Sequence, residues 1–300
     1  MATKKAGSTA KKKTTTVTRI KSTDTAAKPS TKVVKSEVKP IEPAKVTTVK
    51  AVAAEKTAAT NKSPRFTNKT FIASALIGEF IGAFLFTVAF MAIKGDPLYV
   101  GLALTGIVLI VGTISGAHIN PAVTVGAWVT RKMTTLRALG YIIAQVLGAA
   151  LAFVALNMFL NSVAQPDPQQ AAMTGQAAAE VYKAKPLTDS NHWYVFFAEL
   201  VAATIFVFAF AGARLEKERI AKAFTIGLGF LVAAMFGYIA TAYVSATTIF
   251  NPATALALQA VDWSKIDIVT VAAYLIAPLI GGVIGFGLRD VLRGTEDKNA

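Results

Sequence analysis

The sequence predicts an all-α membrane protein, with six transmembrane helices and two re-entrant half-helices arranged as an inverted repeat. Three observations predict it. From Phe71 onward the chain is built of long apolar stretches, each near the ~20 residues that a bilayer crossing needs. Two further apolar stretches are too short to cross, and each opens with Asn-Pro-Ala. The two halves of this region also echo one another residue by residue, the mark of an internal repeat.

Residues 1–70 stand apart. They carry 17 Lys/Arg against 4 Asp/Glu, a net charge of +13, while residues 71–300 carry +1. The tail is rich in Lys, Thr, Ala and Val and has almost no aromatic residues. It cannot bury enough apolar area to offset the entropy of ordering, and is expected to be a disordered basic arm. A channel-like membrane domain is expected over 71–290, with a short C-terminal tail at 291–300. The six spans fall at about 71–93, 98–115, 136–160, 193–213, 222–243 and 268–290. They are rich in Gly and Ala, as at Gly78, Gly82, Gly112, Gly116, Gly281 and Gly282; small residues let membrane helices approach closely.

Lys and Arg set the orientation. Counting the tail, 27 fall on one side of the membrane and 4 on the other, the latter being Lys94, Lys183, Lys185 and Lys265. Both termini are therefore expected in the cytoplasm. No apolar run precedes Phe71, so no N-terminal signal peptide is expected, and a bacterial inner membrane is the expected location.

The short stretches, about 121–131 and 252–261, follow irregular runs at 115–119 and 246–250. Irregular backbone at membrane depth is tolerated where it lines a cavity or is buried in protein. The repeat pairs Glu79 and Phe86 in span 1 with Glu199 and Phe206 in span 4. It also pairs Asn120-Pro121-Ala122 with Asn251-Pro252-Ala253, and Ala144-Gln145 with Ala277-Pro278. Each half has three spans, an odd number, so the halves are inverted and the two short helices enter from opposite sides, meeting at the midplane. Asn is a strong helix N-cap and Pro fits the first helical position. The Asn oxygen can accept from its own short helix, leaving the NH2 as a donor toward a passing oxygen atom. Two half-helices meeting end to end also place positive dipole ends at the centre, against cations and hydronium.

These residues carry a resemblance. Ser115-Gly-Ala-His-Ile-Asn-Pro-Ala-Val-Thr124 is very similar to the first signature loop of the aquaporin (major intrinsic protein) family, and Phe250-Asn-Pro-Ala253 resembles the second. The likeness covers roughly 71–290. It implies a passive pore for water or small neutral solutes such as urea, ammonia, hydrogen peroxide or glycerol, assembled as a homotetramer with one pore per subunit. It implies that Glu79 and Glu199 are structural braces accepting backbone N–H groups from the re-entrant loops; proton coupling is the rival role for such buried carboxyls. Counted from the two Asn, the family's selectivity filter falls on Val100, Ile239, Thr248 and Thr254, with Tyr238 the alternative to Ile239. Thr254 departs from the Arg usual there, and Ala255 from the Asp frequent in glycerol facilitators. A wider, less polar constriction follows. His118 is expected to hydrogen-bond loop backbone, and Thr124 and Thr254 to be ordinary helix residues.

Composition excludes other classes. There is no Cys and there are only two His, His118 and His192. Thiolate metal sites and most acid–base enzyme designs are therefore not expected, nor is any cofactor. The lipid bilayer is one expected partner, and residues 1–70 could contact anionic lipid or nucleic acid. The rival reading is a nonconducting membrane anchor of the same fold whose tail does the work; an ion-conducting pore is a third.

Overall fold

The computed structural model describes residues 68–163, 167, 169, 173–175, 179–187 and 192–299. The basic tail assigned to 1–70 lies, apart from its last three residues, outside the described residues. Every regular element among the described residues is helical. In chain order they are α1 (Asn68–Ala92), α2 (Pro97–Val111), α3 (Pro121–Val129), α4 (Thr135–Asn161), α5 (His192–Ala213), α6 (Arg219–Ala242) and α7 (Pro252–Ala257). A last span is made of α8 (Ile268–Val271), one π-helical turn (Ala272–Ile276) and α9 (Ala277–Asn299).

Five of these helices are long and apolar enough to cross a membrane. The sixth expected span is shorter than 98–115: α2 has 15 residues, a rise of about 22 Å. It begins under Asp96, whose carboxylate accepts from the N–H groups of Leu98 and Tyr99 at 3.0 and 3.2 Å. It stops where the chain must turn into the re-entrant loop, with positive φ at Gly116, Ala117 and Ile119. The second half-helix, α7, has 6 residues rather than the ten expected, because the chain reverses at Gln259 with φ 55°. In the last span Pro278 has no N–H to return to the Tyr274 carbonyl, and the slack is taken up as the π turn just before it.

The packing repeats the sequence symmetry. α1 packs on α4 and α2, as α5 packs on α9 and α6. The half-helices exchange partners: α3, from the first half, lies against α9, and α7, from the second, lies against α4. α2 and α6 join the halves directly. Their backbones nearly touch, since a Cβ on Gly101 would lie 2.9 Å from the Gly227 carbonyl oxygen. Thr105 turns its hydroxyl back to the Gly101 carbonyl at 3.1 Å, as small and hydroxyl residues do in membrane interfaces. Phe86 and Phe206, paired by the repeat, both meet Phe230 edge to face with ring centroids 5.4 Å apart. Phe250 closes the cluster at 4.7 Å from Phe230, an arrangement that adds ring quadrupole attraction to the burial. Outward faces carry exposed Leu136, Ile143, Phe197 and Val232, as expected where lipid replaces water. The chain is a multi-pass membrane protein.

Candidate functional site

Asn120 and Asn251 cap the two half-helices in extended backbone. The Asn120 side-chain oxygen accepts from the Ala122 N–H at 2.8 Å; that of Asn251 accepts from Ala253 and Thr254 at 3.1 and 3.4 Å. Pro121 and Pro252 sit at the first helical position of each, where a missing N–H costs nothing. The amide nitrogens then cross: Asn120 Nδ2 donates to the Phe250 carbonyl at 3.0 Å and Asn251 Nδ2 to the Ile119 carbonyl at 3.2 Å. A carboxamide NH2 carries two donors. One of each is used in this exchange, which leaves a second N–H on each Asn.

The residue before each Asn pays conformationally. Ile119 has φ 59° and Phe250 φ 34°, a region that costs about 1–3 kcal/mol outside glycine. Two buried carboxylates hold these loops in place. Glu79 accepts from the N–H groups of His118 and Ile119 at 2.9 and 2.7 Å. Glu199 accepts from Ile249 and Phe250 at 2.7 and 2.6 Å. Gln145 adds a bond to Glu79 at 2.7 Å and one to the Thr124 hydroxyl at 3.0 Å.

Several contributors were not singled out from the sequence. Tyr141 donates its hydroxyl to the Ser115 carbonyl at 2.5 Å, and Tyr274 to the Thr247 carbonyl at 3.0 Å. Each tyrosine ties down the loop of its own half. The signal was present, since each lies four residues before the matched pair Gln145 and Pro278. Tyr274→Phe leaves the Thr247 carbonyl without its buried donor, which costs about 1–3 kcal/mol. Thermal unfolding in detergent should show a midpoint lower by several degrees; an unchanged midpoint would remove the tyrosine from the loop's support. His118 behaves differently from the expectation: its ring Nδ1 meets the Thr124 hydroxyl at 3.2 Å rather than loop backbone, between the edges of Tyr141 and Phe210. Thr124 is in turn a network member, donating to the Asn120 carbonyl at 3.2 Å.

Two cavities lie at opposite ends of the bundle. One, of about 230 Å³, is lined at the C-terminal end of α6 by Tyr238, Thr241, Thr248 and Phe250, with Lys94 and Lys185 at its rim. The other, of about 320 Å³, reaches the N-terminal end of α6 and is lined by His118, Arg137, Tyr141, Phe210, Arg214 and Lys222.

Of the four filter residues counted from the sequence, only Thr248 lines the first cavity. Its hydroxyl meets that of Thr241 at 2.8 Å. Thr254 is buried and pairs with the Thr87 hydroxyl at 3.2 Å. Val100 is fully buried in the body of the bundle. Ile239 does not line that cavity and Tyr238, the alternative, does, although the two are about equally exposed, at 58% and 61%. The α6 face turned to the cavity carries Ala234, Tyr238 and Thr241, and one residue of helix turns the side chain by about 100°. Lys185 was also missed. Its loop is fastened by Ala184 N–H to the Leu258 carbonyl at 2.9 Å and by Lys185 N–H to the Thr247 hydroxyl at 3.0 Å.

The chain is similar to several known proteins. Aquaporin Z of Photorhabdus laumondii is 28% identical over 236 residues, covering 74% of this chain and 96% of that protein. Aquaporin AqpM of Methanothermobacter thermautotrophicus is 30% identical over 203 residues, covering 63% and 74%. Glycerol uptake facilitator protein-like 6 of Lactiplantibacillus plantarum is 40% identical over a shorter 92 residues, 29% of this chain and 42% of that protein. The X-ray structure of the aquaglyceroporin from Plasmodium falciparum superposes with a TM-score of 0.57 at 19% identity, covering 76% of this chain and all 100% of that one; at that identity the likeness is one of fold. The family model described as major intrinsic protein matches residues 65–288. A match of that extent, on a bundle whose half-helices cap and cross at paired asparagines, means that the chain belongs to the major intrinsic protein family.

Proposed function

We propose that this passive channel for water and small solutes conducts along the line joining the two cavities, past Asn120 and Asn251, and that it passes small neutral solutes such as urea as well as water. The crosswise Asn pair carries this reading. It offers two convergent donors between the two half-helices, so an uncharged solute oxygen is met while a water file cannot relay protons freely through the centre. The members of this family are channels, and that supports a role without enzymatic activity.

Charge at the mouth supports neutral selectivity. Thr254 supplies no positive charge, but Lys94 and Lys185 stand at the rim of the first cavity, and no carboxylate lines it among the described residues. The positive dipole end of α7 adds to this at Asn251. Cations are opposed from the rim rather than by a charge at position 254, where a threonine stands in place of a long side chain.

The first cavity is assigned to the outside and the second to the cytoplasm, with both termini cytoplasmic in an inner membrane, because the Lys and Arg of the connections concentrate at the second. Residues 1–70 are assigned as a basic arm over anionic headgroups, with nucleic acid as the competing polyanion, and the subunits as a homotetramer with one pore each.

The test is stopped-flow light scattering on proteoliposomes under water, urea and glycerol gradients. Flux above that of empty vesicles with a low activation energy supports the pore; no flux for any solute with insertion verified refutes it. Thr254→Arg places a long cation where the Thr87 pairing now stands. It should lower urea and glycerol flux on the order of tenfold, which about 1.4 kcal/mol of added barrier supplies, with water flux much less affected. Unchanged solute flux would show that position 254 is not at the constriction.

A further inference from the structure

The cavity at the second mouth gathers cations from four separate parts of the fold: Lys132 after α3, Arg137 in α4, Arg214 after α5 and Lys222 in α6. Among the described residues that line it, none is a carboxylate. Glu79 lies behind the lining, its carboxyl taken up by the His118 and Ile119 N–H groups, and Asp290 pairs with Lys132 at 2.6 Å in an adjoining cavity that shares Lys132 and Arg214. Lys and Arg placed only to orient a membrane protein need lie on one side of it and no more. Lys217 and Arg131 do that, away from this cavity; the other four converge.

The converging groups are also positioned. Arg137 donates from Nε and Nη2 to the Tyr141 hydroxyl at 3.0 and 2.5 Å and reaches the Ser115 carbonyl at 3.4 Å, with its guanidinium 5.0 Å from the Tyr141 ring centre. Arg214 is held 5.7 Å over the Phe286 ring. Partial burial, with the like charge of Arg137 adding and Asp290 opposing, holds the Arg214 guanidinium below its usual pKa. Positive groups kept in place against their mutual repulsion, around about 320 Å³ of space, match a compact dianion with oxygens in several directions, which guanidinium forks bind well.

We infer that this cavity is a binding site for a phosphate-class dianion, either inorganic phosphate or the phosphomonoester headgroup of a lipid, seated at the pore entrance. The site itself rests on its lining; its effect on transport rests on the pore reading above. An occupant would sit against His118 and Phe210, on the path of any solute leaving the first re-entrant loop, and would slow flux.

The test uses the full chain. Inorganic phosphate is titrated by calorimetry against detergent-purified protein at constant ionic strength in chloride, for the native protein, for Arg214→Gln/Lys222→Gln and for Lys217→Gln. All three keep the basic tail, so binding there cancels. Saturable binding should weaken about tenfold or more in the double variant, the scale of lost charge-assisted bonds, and stay unchanged in Lys217→Gln. In parallel, urea flux is measured in neutral-lipid vesicles with and without trapped phosphate, and in phosphate-free vesicles containing phosphatidic acid, each variant compared with itself. Slowing by trapped phosphate assigns the dissolved ion; slowing by phosphatidic acid alone, relieved in the double variant, assigns the headgroup. Equal binding by the native protein and the double variant, an equal loss in Lys217→Gln, or no site-dependent response to either source would overturn the site. An absence of flux in every vesicle would refute the pore reading, while calorimetry would still decide the site.

Discussion

Glu199→Leu should abolish water flux and lower the unfolding midpoint in detergent, although the substitution by itself removes a costly buried carboxyl from the bilayer interior. That opposition of signs makes the result informative. A leucine of similar volume in an apolar helix is favoured at depth by several kcal/mol on any insertion scale, so a carboxylate without a structural task would leave the variant more stable. In the structure the carboxylate accepts the N–H groups of Ile249 and Phe250 at 2.7 and 2.6 Å. Both residues are fully buried. Each orphaned donor costs about 1–3 kcal/mol, roughly 2–6 kcal/mol for the pair, against a net stability of about 5–15 kcal/mol for a domain. The loop also loses the clamp that keeps Phe250 at positive φ. The damage then passes to the other half, because the Phe250 carbonyl is the acceptor for Asn120 Nδ2. Glu199→Gln, which keeps one acceptor oxygen, should fall between the two. A leucine variant with an unchanged or raised midpoint and normal flux would mean that the loop holds itself.

The parts of this site that could be read from the sequence are those fixed by chemistry local to a tripeptide or repeated in both halves. Asn followed by Pro announces a helix start wherever it falls, and its recurrence after three spans announces inversion. The matched Glu79 and Glu199 were visible because a carboxyl in an apolar span needs a partner. Residues whose role depends on helix phase were less legible. Counting twelve back from Asn251 reaches Ile239, but the loop from Tyr243 to Phe250 sets how α6 is rotated and raised, and the cavity receives Tyr238 and Thr241 instead. Lys185 lay in a stretch with no periodicity, and only its hydrogen bonds to Thr247 and those of Ala184 to Leu258 bring it to the mouth. The shortness of α7 follows from a reversal at Gln259, a residue type that gives no warning of positive φ. Lys132, Arg137, Arg214 and Lys222 could be assigned to one side of the membrane by counting; that they share a cavity is a property of four parts of the fold meeting.

The glycine pattern of the last span yields the second large effect. Gly282→Val should give no monodisperse, flux-competent protein, whereas Gly287→Val in the same helix should be recovered near native yield. Both changes introduce the same β-branched residue into α9, with the same loss of glycine's freedom and the same helix propensity, so their difference isolates packing. A Cβ at Gly282 would collide with the Ala122 carbonyl oxygen, and the Gly282 carbonyl itself leaves no room for one at Gly126. At Gly287 an added Cβ meets nothing. The obstacle at Gly282 is backbone, not the far end of a flexible side chain, and that backbone belongs to the third residue of the Asn-Pro-Ala turn. Ala122 cannot withdraw without carrying its N–H away from the Asn120 oxygen at 2.8 Å, which would free the Asn120 side chain from the orientation that aims its NH2 at Phe250. Overpacking in a core usually costs about 1–3 kcal/mol when side chains can shift; here the shift would have to dismantle the half-helix cap, so the cost should exceed that range. Size-exclusion profiles and stopped-flow traces of the two variants side by side decide it. Equal behaviour would mean that α3 and α9 can separate without loss of the pore. Failure confined to Gly282 would show that the exchange of half-helices between the two repeats is what holds the asparagines face to face.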